Sequence, residues 1–194
     1  MKIKSTRSME GIEKSLKKIK VQTEAPVDSW NPKFCGNLDI RIVKDGSWLY
    51  QGSKINRYSL VKLFSSILKK EGDNYYLVTP AEKIGITVDF APFVVTAINF
   101  LGQGKSQKIS FTTNLGETFD LNYLHLFRIN FNPKTNEPHP YVIVRKNLEA
   151  LIDRKSFYRF VDLACIEKYR GQDWFGVWSH NCFFPITQNK NLYD

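Results

Sequence analysis

The sequence predicts an α+β protein built from two related hairpin–helix–hairpin repeats with mostly antiparallel sheets. Three observations lead to this fold class: period-two strands flank Asp45-Gly46, an amphipathic helix pattern follows, and the same helix pattern returns 97 residues later. Asp-Gly between alternating apolar runs is a strong hairpin signal, because both residues tolerate the positive φ of tight hairpin turns. With 194 residues, the chain is long enough for one well-buried core or for two small domains that share one.

The first repeat is expected within residues 26–88. Its helix is amphipathic, with lysines on the outer face and Asn56 or Ser59 as the expected N-cap. Pro80 cannot continue a central strand, so the chain is expected to turn there and run back. The elements expected in this repeat are strands at residues 39–43 and 48–50, a helix at about residues 59–70, and strands at residues 75–78 and 83–88.

The second repeat is expected within residues 89–194, because the helix pattern returns at a spacing of 97 residues without a gap. Asn56 and Arg57 then fall on Asp153 and Arg154. We interpret this match as an internal duplication. The apolar positions that it aligns are Leu60, Leu63, Phe64, Ile67 and Leu68 with Phe157, Phe160, Val161, Ala164 and Cys165. The strands expected in this part are at residues 93–101, 108–112, 126–130, 141–144, 173–178 and 182–184.

The formal net charge of +9 is spread along the chain rather than clustered. Residues 1–25 hold seven basic and three acidic side chains, and the rest of the excess has no basic run. We therefore expect no nucleic-acid binding, since a nucleic-acid surface normally gathers its cations on one face. Residues 1–25 are predicted to form a basic tail with a short helix, in which Ile12, Leu16 and Ile19 share a narrow apolar stripe. That helix either packs its stripe on the folded body or binds a membrane surface or an acidic partner.

The cysteine pattern and the hydropathy favour a cytoplasmic protein. Cys35, Cys165 and Cys182 are odd in number and lack metal-ligand spacing, which is typical of reduced thiols. No apolar run approaches the roughly 20 residues of a membrane-spanning helix, and no signal-peptide pattern opens the chain. We expect neither a transmembrane segment nor secretion.

Motifs that resemble catalytic or metal sites are incomplete. His180 and Cys182 have the spacing of two ligands, but no second pair completes a zinc site. Ser179-His180 lacks both a nucleophile elbow and an acidic partner. Gly102-Gln103-Gly104 precedes a predicted strand rather than a helix, so it indicates a hairpin tip and not a phosphate loop. We predict no catalytic residue, metal or cofactor, and an unrecognised enzyme that uses Glu82 or His180 remains a third interpretation.

A set of short motifs in order resembles a bacterial protein family of unknown function, over about residues 26–185. The motifs are Trp30-Asn31-Pro32, Asp45-Gly46-x-Trp48, Leu77-Val78-Thr79-Pro80-x-Glu82-Lys83, Ala91-Pro92-Phe93, Thr113-Asn114-x-Gly116, Glu137-Pro138-x-Pro140-Tyr141-Val142, Val144-Arg145, Leu148-Glu149-Ala150 and Phe175-Gly176-Val177-Trp178-Ser179. The resemblance implies two related α+β repeats, a C-terminal half loosely like a pleckstrin-homology fold, and no known enzyme activity. It further implies a ligand site between the halves, for a nucleotide-like molecule, with a role in signal transduction linked to oxidative stress.

A nucleotide-like anion would require fixed cations, hydrogen-bond donors and an aromatic surface for the base. The residues assigned to these roles are Arg57, Lys83 and Arg145 for phosphate, Trp178 or Trp30 for stacking, and Thr79, Asn114 and Ser179 for hydrogen bonds. The arginines fit surface or inter-repeat salt bridges equally well, and the tryptophans fit corner plugs of the core.

From these residues, the first functional hypothesis is that the chain is a non-enzymatic ligand-sensing or adaptor protein. The alternative, from another class, is a protein- or membrane-interaction module that uses the C-terminal half and the basic tail.

Overall fold

The computed structural model describes Gly11 and residues 25–188, and the chain divides into two compact units between Pro92 and Phe93. Residues 25–92 are called unit 1, and residues 93–188 are called unit 2. The short helix expected in the basic tail lies outside the described residues, apart from Gly11.

Unit 1 contains six strands and one α-helix. In chain order they are β1 (Phe34–Ile42), β2 (Trp48–Tyr50), β3 (Ser53–Lys54), α1 (Tyr58–Ser66), β4 (Leu68–Glu71), β5 (Asn74–Val78) and β6 (Lys83–Val88). The strands form one sheet in the order β3-β2-β1-β6-β5-β4. Only the central pair, β1 with β6, is parallel among these strands. The sheet is therefore mixed, with two antiparallel meanders joined along their parallel edges.

The hairpin predicted at Asp45-Gly46 is confirmed. Gly46 has a φ of +78°, and the backbone N–H of Val43 donates to the carbonyl of Ser47 at 3.0 Å. The Asp45 carboxylate accepts the Ser47 backbone N–H at 2.8 Å, and this bond lowers the pKa of Asp45. Behind the hairpin, the buried Trp48 ring lies 6.3 Å from the ring of Phe64 on α1. Helix and sheet thus share one apolar core.

Helix α1 is shorter than predicted, because its expected last turn is a strand. The helix ends at Ser66, and residues 68–71 pair with β5 from Leu68 opposite Leu77 to Glu71 opposite Asn74. Leu68 fits a helical apolar face by spacing, but it is buried as part of β4. The ladder to β5 therefore overrides the helical pattern, and a turn at Gly72, with a φ of +57°, completes the hairpin.

The predicted N-caps of α1 are wrong. Arg57 is the N-cap residue, and no side chain provides a capping hydrogen bond there. The backbone carbonyl of Arg57 accepts the N–H groups of Leu60 and Val61 at 3.0 and 3.2 Å. Because Leu60 and Val61 are buried, packing of the first turn fixes this start without a polar cap.

Unit 2 contains nine strands and one α-helix. In chain order they are β7 (Phe93–Leu101), β8 (Lys108–Thr113), β9 (Thr118–Asp120), β10 (Phe127–Phe131), β11 (Pro138–Arg145), β12 (Leu148–Ile152), α2 (Arg154–Val161), β13 (Cys165–Tyr169), β14 (Gln172–Ser179) and β15 (Cys182–Gln188). Strands β7 to β12 form a six-stranded sheet in the order β10-β11-β12-β7-β8-β9, and β13-β14-β15 form a separate three-stranded sheet. The pair β12 with β7 is parallel, so this larger sheet is also mixed.

Aromatic rings fill the core of unit 2. Phe160 of α2 is fully buried, and its ring lies 4.9 Å from that of Phe127 and 5.8 Å from that of Phe111. The predicted hairpin of β7 and β8 is confirmed, with Gly102 and Gly104 at φ values of +81° and +64° in its tip. Within the described residues, no helix has the length and apolar character that a membrane crossing requires.

Both units contain a series of three antiparallel strands, a helix and three more antiparallel strands, and in unit 2 the strands β7 to β9 precede this series. The ungapped spacing of 97 residues is wrong at the helix, since the N-caps are Arg57 and Asp153, which are 96 residues apart. Counted from these caps, Phe64 and Phe160 occupy the same buried position. The spacing reaches 97 between the first residues of the next strands, Leu68 and Cys165, because α2 is one residue shorter than α1 and the connection after it is two residues longer.

Candidate functional site

Thr79 lies in the turn between β5 and β6, where its hydroxyl is used by the turn itself. The Thr79 oxygen accepts the backbone N–H groups of Glu82 at 3.0 Å and Ala81 at 3.3 Å. The Thr79 backbone N–H donates to the Glu82 carbonyl at 2.8 Å. Thr79 is buried, and its polar atoms form hydrogen bonds within the turn that precedes Lys83.

Lys83 begins β6 and is held between an acid and a ring. Its ammonium group pairs with Glu71, which also pairs with Lys69 at 3.3 Å. The same ammonium lies 4.3 Å from the centroid of the Tyr76 ring. The hydrogen bond from Lys83, followed by that from Lys69, lowers the pKa of Glu71. Lys83 is therefore a fixed cation at the start of β6, one of the two central strands of the unit 1 sheet.

The other two candidates in unit 1 lie at element ends. Arg57 is the exposed N-cap residue of α1. Trp30 follows the 3-10 turn Val27–Ser29, and its backbone N–H donates to the Val27 carbonyl at 3.3 Å. Trp30 is half-buried, as expected for a side chain that closes a corner. Of the four candidates in this unit, only Thr79 and Lys83 belong to one turn.

In unit 2, Arg145 and Asn114 flank the first residues of β7. Arg145 pairs with Glu117, and its guanidinium carbon lies 4.8 Å from the Phe93 ring centroid. Asn114 accepts the Val94 N–H through its side-chain oxygen at 3.0 Å and donates its own backbone N–H to the Val94 carbonyl at 2.8 Å. The Arg145 side chain is 13% exposed, so this guanidinium is held almost inside the protein. The structure thus brings two predicted residues together.

Trp178 and Ser179 end β14 and join a second cluster, against the segment that leads into β8. The Ser179 oxygen accepts the Ile109 backbone N–H at 3.2 Å. Gln107 donates its side-chain N–H to the Trp178 carbonyl at 2.7 Å. Both Ser179 and Gln107 are buried. These bonds link the three-stranded sheet to the six-stranded sheet of unit 2.

The Trp178 indole takes part in a charged group at the same place. Its N–H donates to Glu167 at 3.2 Å, and Lys105 lies 3.3 Å from the same carboxylate oxygen. The Lys105 ammonium also lies 4.5 Å from the centroid of the Trp178 ring. One face of the indole is therefore covered by a cation within the protein.

His180 lies in the turn between β14 and β15. His180 and Asn181 have φ values of 50° and 60°, the left-handed pair of a tight hairpin turn. The His180 Nε2 atom lies 2.9 Å from Asp120 Oδ2. Among the described residues, no group of three or more His, Cys, Asp or Glu side chains has the geometry to hold a metal ion.

Asp120 is one of the residues of this cluster that the sequence did not indicate. Its carboxylate accepts the Ser110 hydroxyl at 2.6 Å and contacts His180 with its other oxygen. The bond from Ser110, with smaller contributions from His180 and Lys108, lowers the pKa of Asp120. The carboxylate stands between serine and histidine, whereas an activated nucleophile requires the histidine between them.

The eight predicted residues therefore occupy separate places within the two units. Two pairs share a location: Thr79 with Lys83 in unit 1, and Asn114 with Arg145 in unit 2. Trp178 and Ser179 belong to another group, together with His180. This group also contains Lys105, Gln107 and Asp120, which no local sequence motif indicated. Gln107 and Asp120 are 60 or more residues from Trp178 and His180, which they contact, and only the sheet packing brings them together.

The sequence of the chain is similar to proteins of unknown function. The profile described as "Domain of unknown function (DUF1285), N-terminal domain" matches residues 25–91. The profile described as "Protein of unknown function (DUF1285), C-terminal domain" matches residues 92–186. No protein of curated function is significantly similar to this chain.

Two crystal structures are similar to the chain. A DUF1285 family protein from Silicibacter pomeroyi DSS-3 is 48% identical, with a TM-score of 0.87, over 97% of this chain and 100% of that chain. A DUF1285 family protein from Shewanella baltica OS155 is 25% identical, with a TM-score of 0.51, over 64% of this chain and 91% of that chain.

Proposed function

Because the chain belongs to the DUF1285 family, whose function is unknown, we propose from its residues that it is a non-enzymatic ligand-sensing or adaptor protein. The proposed ligand is a nucleotide-like anion, and the proposed role is in signal transduction in the cytoplasm. The site residues proposed are Arg57, Thr79, Lys83, Asn114, Arg145, Trp178, Ser179 and Trp30. The loose pleckstrin-homology likeness of the C-terminal half and the division into residues 1–25, 26–88 and 89–194 belong to the same proposal.

The observation that supports anion binding is the preorganised pair Arg145 and Asn114. Glu117 and the Phe93 ring fix the guanidinium, and the backbone of Val94 fixes the amide. Side chains that are already ordered lose little conformational entropy when a ligand binds. A phosphate placed there would share the guanidinium with Glu117, and a charge-assisted hydrogen bond to arginine is among the strong ones.

The test is thermal unfolding of the full chain against a panel of nucleotides at millimolar concentration. A ligand that binds the native state raises the melting temperature by mass action. We expect a concentration-dependent rise for at least one nucleotide, and we expect Arg145→Gln to abolish it. No rise with any nucleotide would contradict the proposal.

Arg128→Gln is the matched control for this test. Arg128 also pairs with a glutamate, Glu149 at 2.6 Å, and also lies over a ring, Tyr141 at 4.3 Å. It therefore has the same chemistry at another place in unit 2. If Arg128→Gln abolished the rise as fully as Arg145→Gln, the effect would reflect lost stability and the assignment of Arg145 would fail.

A second candidate function, the protein-interaction module, is favoured by the loop between β9 and β10. Tyr123, Leu124 and Leu126 are all exposed there, whereas His125 points inward and stacks on Phe119 with centroids 4.7 Å apart. His125 Nδ1 also lies 2.9 Å from the Ile143 carbonyl, which holds the loop in place. An ordered loop with three large exposed apolar side chains is typical of a contact surface.

A photo-reactive amino acid at residue 123 tests this second candidate in cells. We expect a discrete cross-linked adduct from that position and none from the exposed polar control, Gln103. Adducts that form equally at both positions, or at neither, would contradict a specific partner for the loop.

A further inference from the structure

Strand β10 lies at one edge of the six-stranded sheet of unit 2, and its neighbour in the sheet is β11. At one end of this pairing, the Leu126 carbonyl accepts the Ile143 N–H at 3.0 Å. At the other end, the Asn132 N–H donates to the Glu137 carbonyl at 2.9 Å. In an antiparallel pair, every second residue bonds to the partner strand, and the residues between them point their backbone groups the other way. The residues whose N–H and C=O groups point away from β11 are therefore Phe127, Ile129 and Phe131.

The outward edge of β10 is unpaired. Among the described residues, no hydrogen bond joins the backbone groups of Phe127, Ile129 or Phe131 to a partner. Strand β15 lies near β10, but the strand to which it is hydrogen-bonded is β14. The Phe131 side chain is 54% exposed, and Asn130 is exposed beside it. An unpaired strand edge of this kind is a template for the addition of another strand.

The side chains of β10 follow an order that reads the same in both directions. Phenylalanine stands at each end, isoleucine at the centre, and the polar residues Arg128 and Asn130 between them. Such an order is needed only by a strand that pairs with its own copy. When two copies lie antiparallel with Ile129 opposite Ile129, Phe127 of each copy faces Phe131 of the other, and every outward N–H and C=O of the strand has a partner.

We propose that β10 pairs in this way with β10 of a second copy of the chain, about a two-fold axis at Ile129. The larger sheets of two copies of unit 2 then form one continuous sheet. Aromatic pairs across two strands stabilise a sheet. On the opposite face, Arg128 stands beside Asn130 of the other copy and stays paired with Glu149 at 2.6 Å, so no uncompensated charge enters the contact.

The neighbouring registers are less favourable than the one centred on Ile129. A register centred on Arg128 would place two guanidinium groups directly opposite each other, and like charges in that position destabilise a sheet. A register centred on Asn130 would place Phe127 opposite Pro133, which has no N–H to donate. The sequence of the strand and of the turn after it therefore selects a single alignment of the two copies.

The test is sedimentation velocity of the full chain at increasing protein concentration. We expect a species of twice the mass of one chain. Ile129→Lys and Ile129→Glu should each weaken self-association at least about 100-fold, because each substitution places like charges opposite one another at the two-fold axis. An equimolar mixture of these two variants should form the dimer again, since lysine then faces glutamate.

Ile166→Lys and Ile166→Glu are the matched controls, because Ile166 is exposed on β13, the edge strand of the three-stranded sheet. These variants should dimerise like the unaltered chain. If circular dichroism shows that an Ile129 variant is unfolded, Phe131→Glu at its exposed position takes its place, with the same loss of the dimer expected.

A chain that stays monomeric at every concentration would overturn the proposal. A dimer that survives the Ile129 substitutions, equal losses in test and control variants, or a mixture that stays monomeric would also overturn it. The proposal rests neither on nucleotide binding nor on the loop between β9 and β10, so its failure would leave both of those tests unaffected.

Discussion

Ser179 is a fully buried serine whose oxygen satisfies the backbone of a strand 70 residues earlier. Without this acceptor, the N–H of Ile109 would lose its hydrogen bond to Ser179 while staying buried. A buried donor that loses its acceptor costs about 1–3 kcal/mol. The residue therefore contributes to the link between the two sheets of unit 2.

Replacing Ser179 with alanine should lower the free energy of unfolding by about 1–3 kcal/mol, because the hydroxyl disappears and the Ile109 N–H stays buried. Urea denaturation of the full chain measures this change. Ser106→Ala is the control, since Ser106 is exposed and its replacement should change stability by less than about 0.5 kcal/mol. Equal effects of the two substitutions would contradict the role of the bond.

Asp120 gives unit 2 a pH dependence with a defined sign. Its pKa in the folded protein lies below the ordinary carboxyl value of 3.8, chiefly because Ser110 donates to it. The ionised carboxylate therefore contributes stability above that pH, and the contribution is lost as the pH falls through the folded-state pKa.

Asp120→Asn should consequently be less stable than the unaltered chain at pH 7, by about 1 kcal/mol given the partial exposure of the carboxylate. The difference should shrink when urea denaturation is repeated near pH 3. Asp73→Asn, at an exposed turn, should show no such difference. A gap that is constant between the two pH values would show that the charge of Asp120 does not matter.

Helix α2 illustrates what an element contributes beyond its own hydrogen bonds. Asp153 caps it by accepting the Ser156 N–H at 2.7 Å, and Phe160 anchors it between the rings of Phe111 and Phe127. An isolated helix of this length is marginal in water. Its stability therefore comes from the anchored ring more than from helix propensity.

Phe160→Ala should lower the free energy of unfolding by about 3–5 kcal/mol, since it removes a fully buried aromatic ring and leaves a cavity. Tyr158→Ala on the same helix is the control: that ring is 54% exposed, and we expect a loss below about 1 kcal/mol. The measurement is again urea denaturation. A loss below about 1 kcal/mol for Phe160→Ala would contradict the anchoring role.

At the level of elements, the sequence predicted what local chemistry determines. Lys83–Val88 and Trp48–Tyr50 are strands as predicted, and the turns at Gly46 and Gly102 are confirmed. Strands β4 and β13 were missed, because Leu68 and Cys165 also satisfy the spacing of a helical apolar face. Pairing with a distant partner decides such segments, and periodicity does not record it.

The site was less predictable than the elements. Arg145 and Asn114 were named from motifs, and the structure places them at one strand end. The partner of the His180 ring, Asp120, ends a short edge strand without any pattern that distinguishes it. Contacts between residues this far apart depend on sheet packing, so one sequence does not reveal them.

At the scale of the whole molecule, the resemblance to a bacterial family of unknown function is confirmed by the two matching profiles. Each unit contains its own buried side chains, with Trp48 and Phe64 in one and Phe111 and Phe160 in the other. A core of its own is what lets a domain fold alone.

Residues 93–188 expressed alone should therefore unfold cooperatively, in a single urea transition with dispersed amide resonances. A domain of this size can bury enough apolar surface to be stable without disulfide bonds or bound metal ions. The corresponding fragment of residues 25–92 is smaller and should be the less stable of the two. A non-cooperative transition for residues 93–188 would show that unit 2 requires the rest of the chain.

The parallel pairing of β12 with β7 has a consequence for synthesis on the ribosome. Val95 is paired with Ile152, so one edge of β7 cannot be paired until more than fifty further residues have been translated. At about 5–20 residues per second, this interval lasts seconds, far longer than the formation of the β7–β8 hairpin. In a nascent chain, the β7 edge of this hairpin therefore has no hydrogen-bond partner until β12 has been synthesised. This unpaired edge is where a chaperone would be most useful.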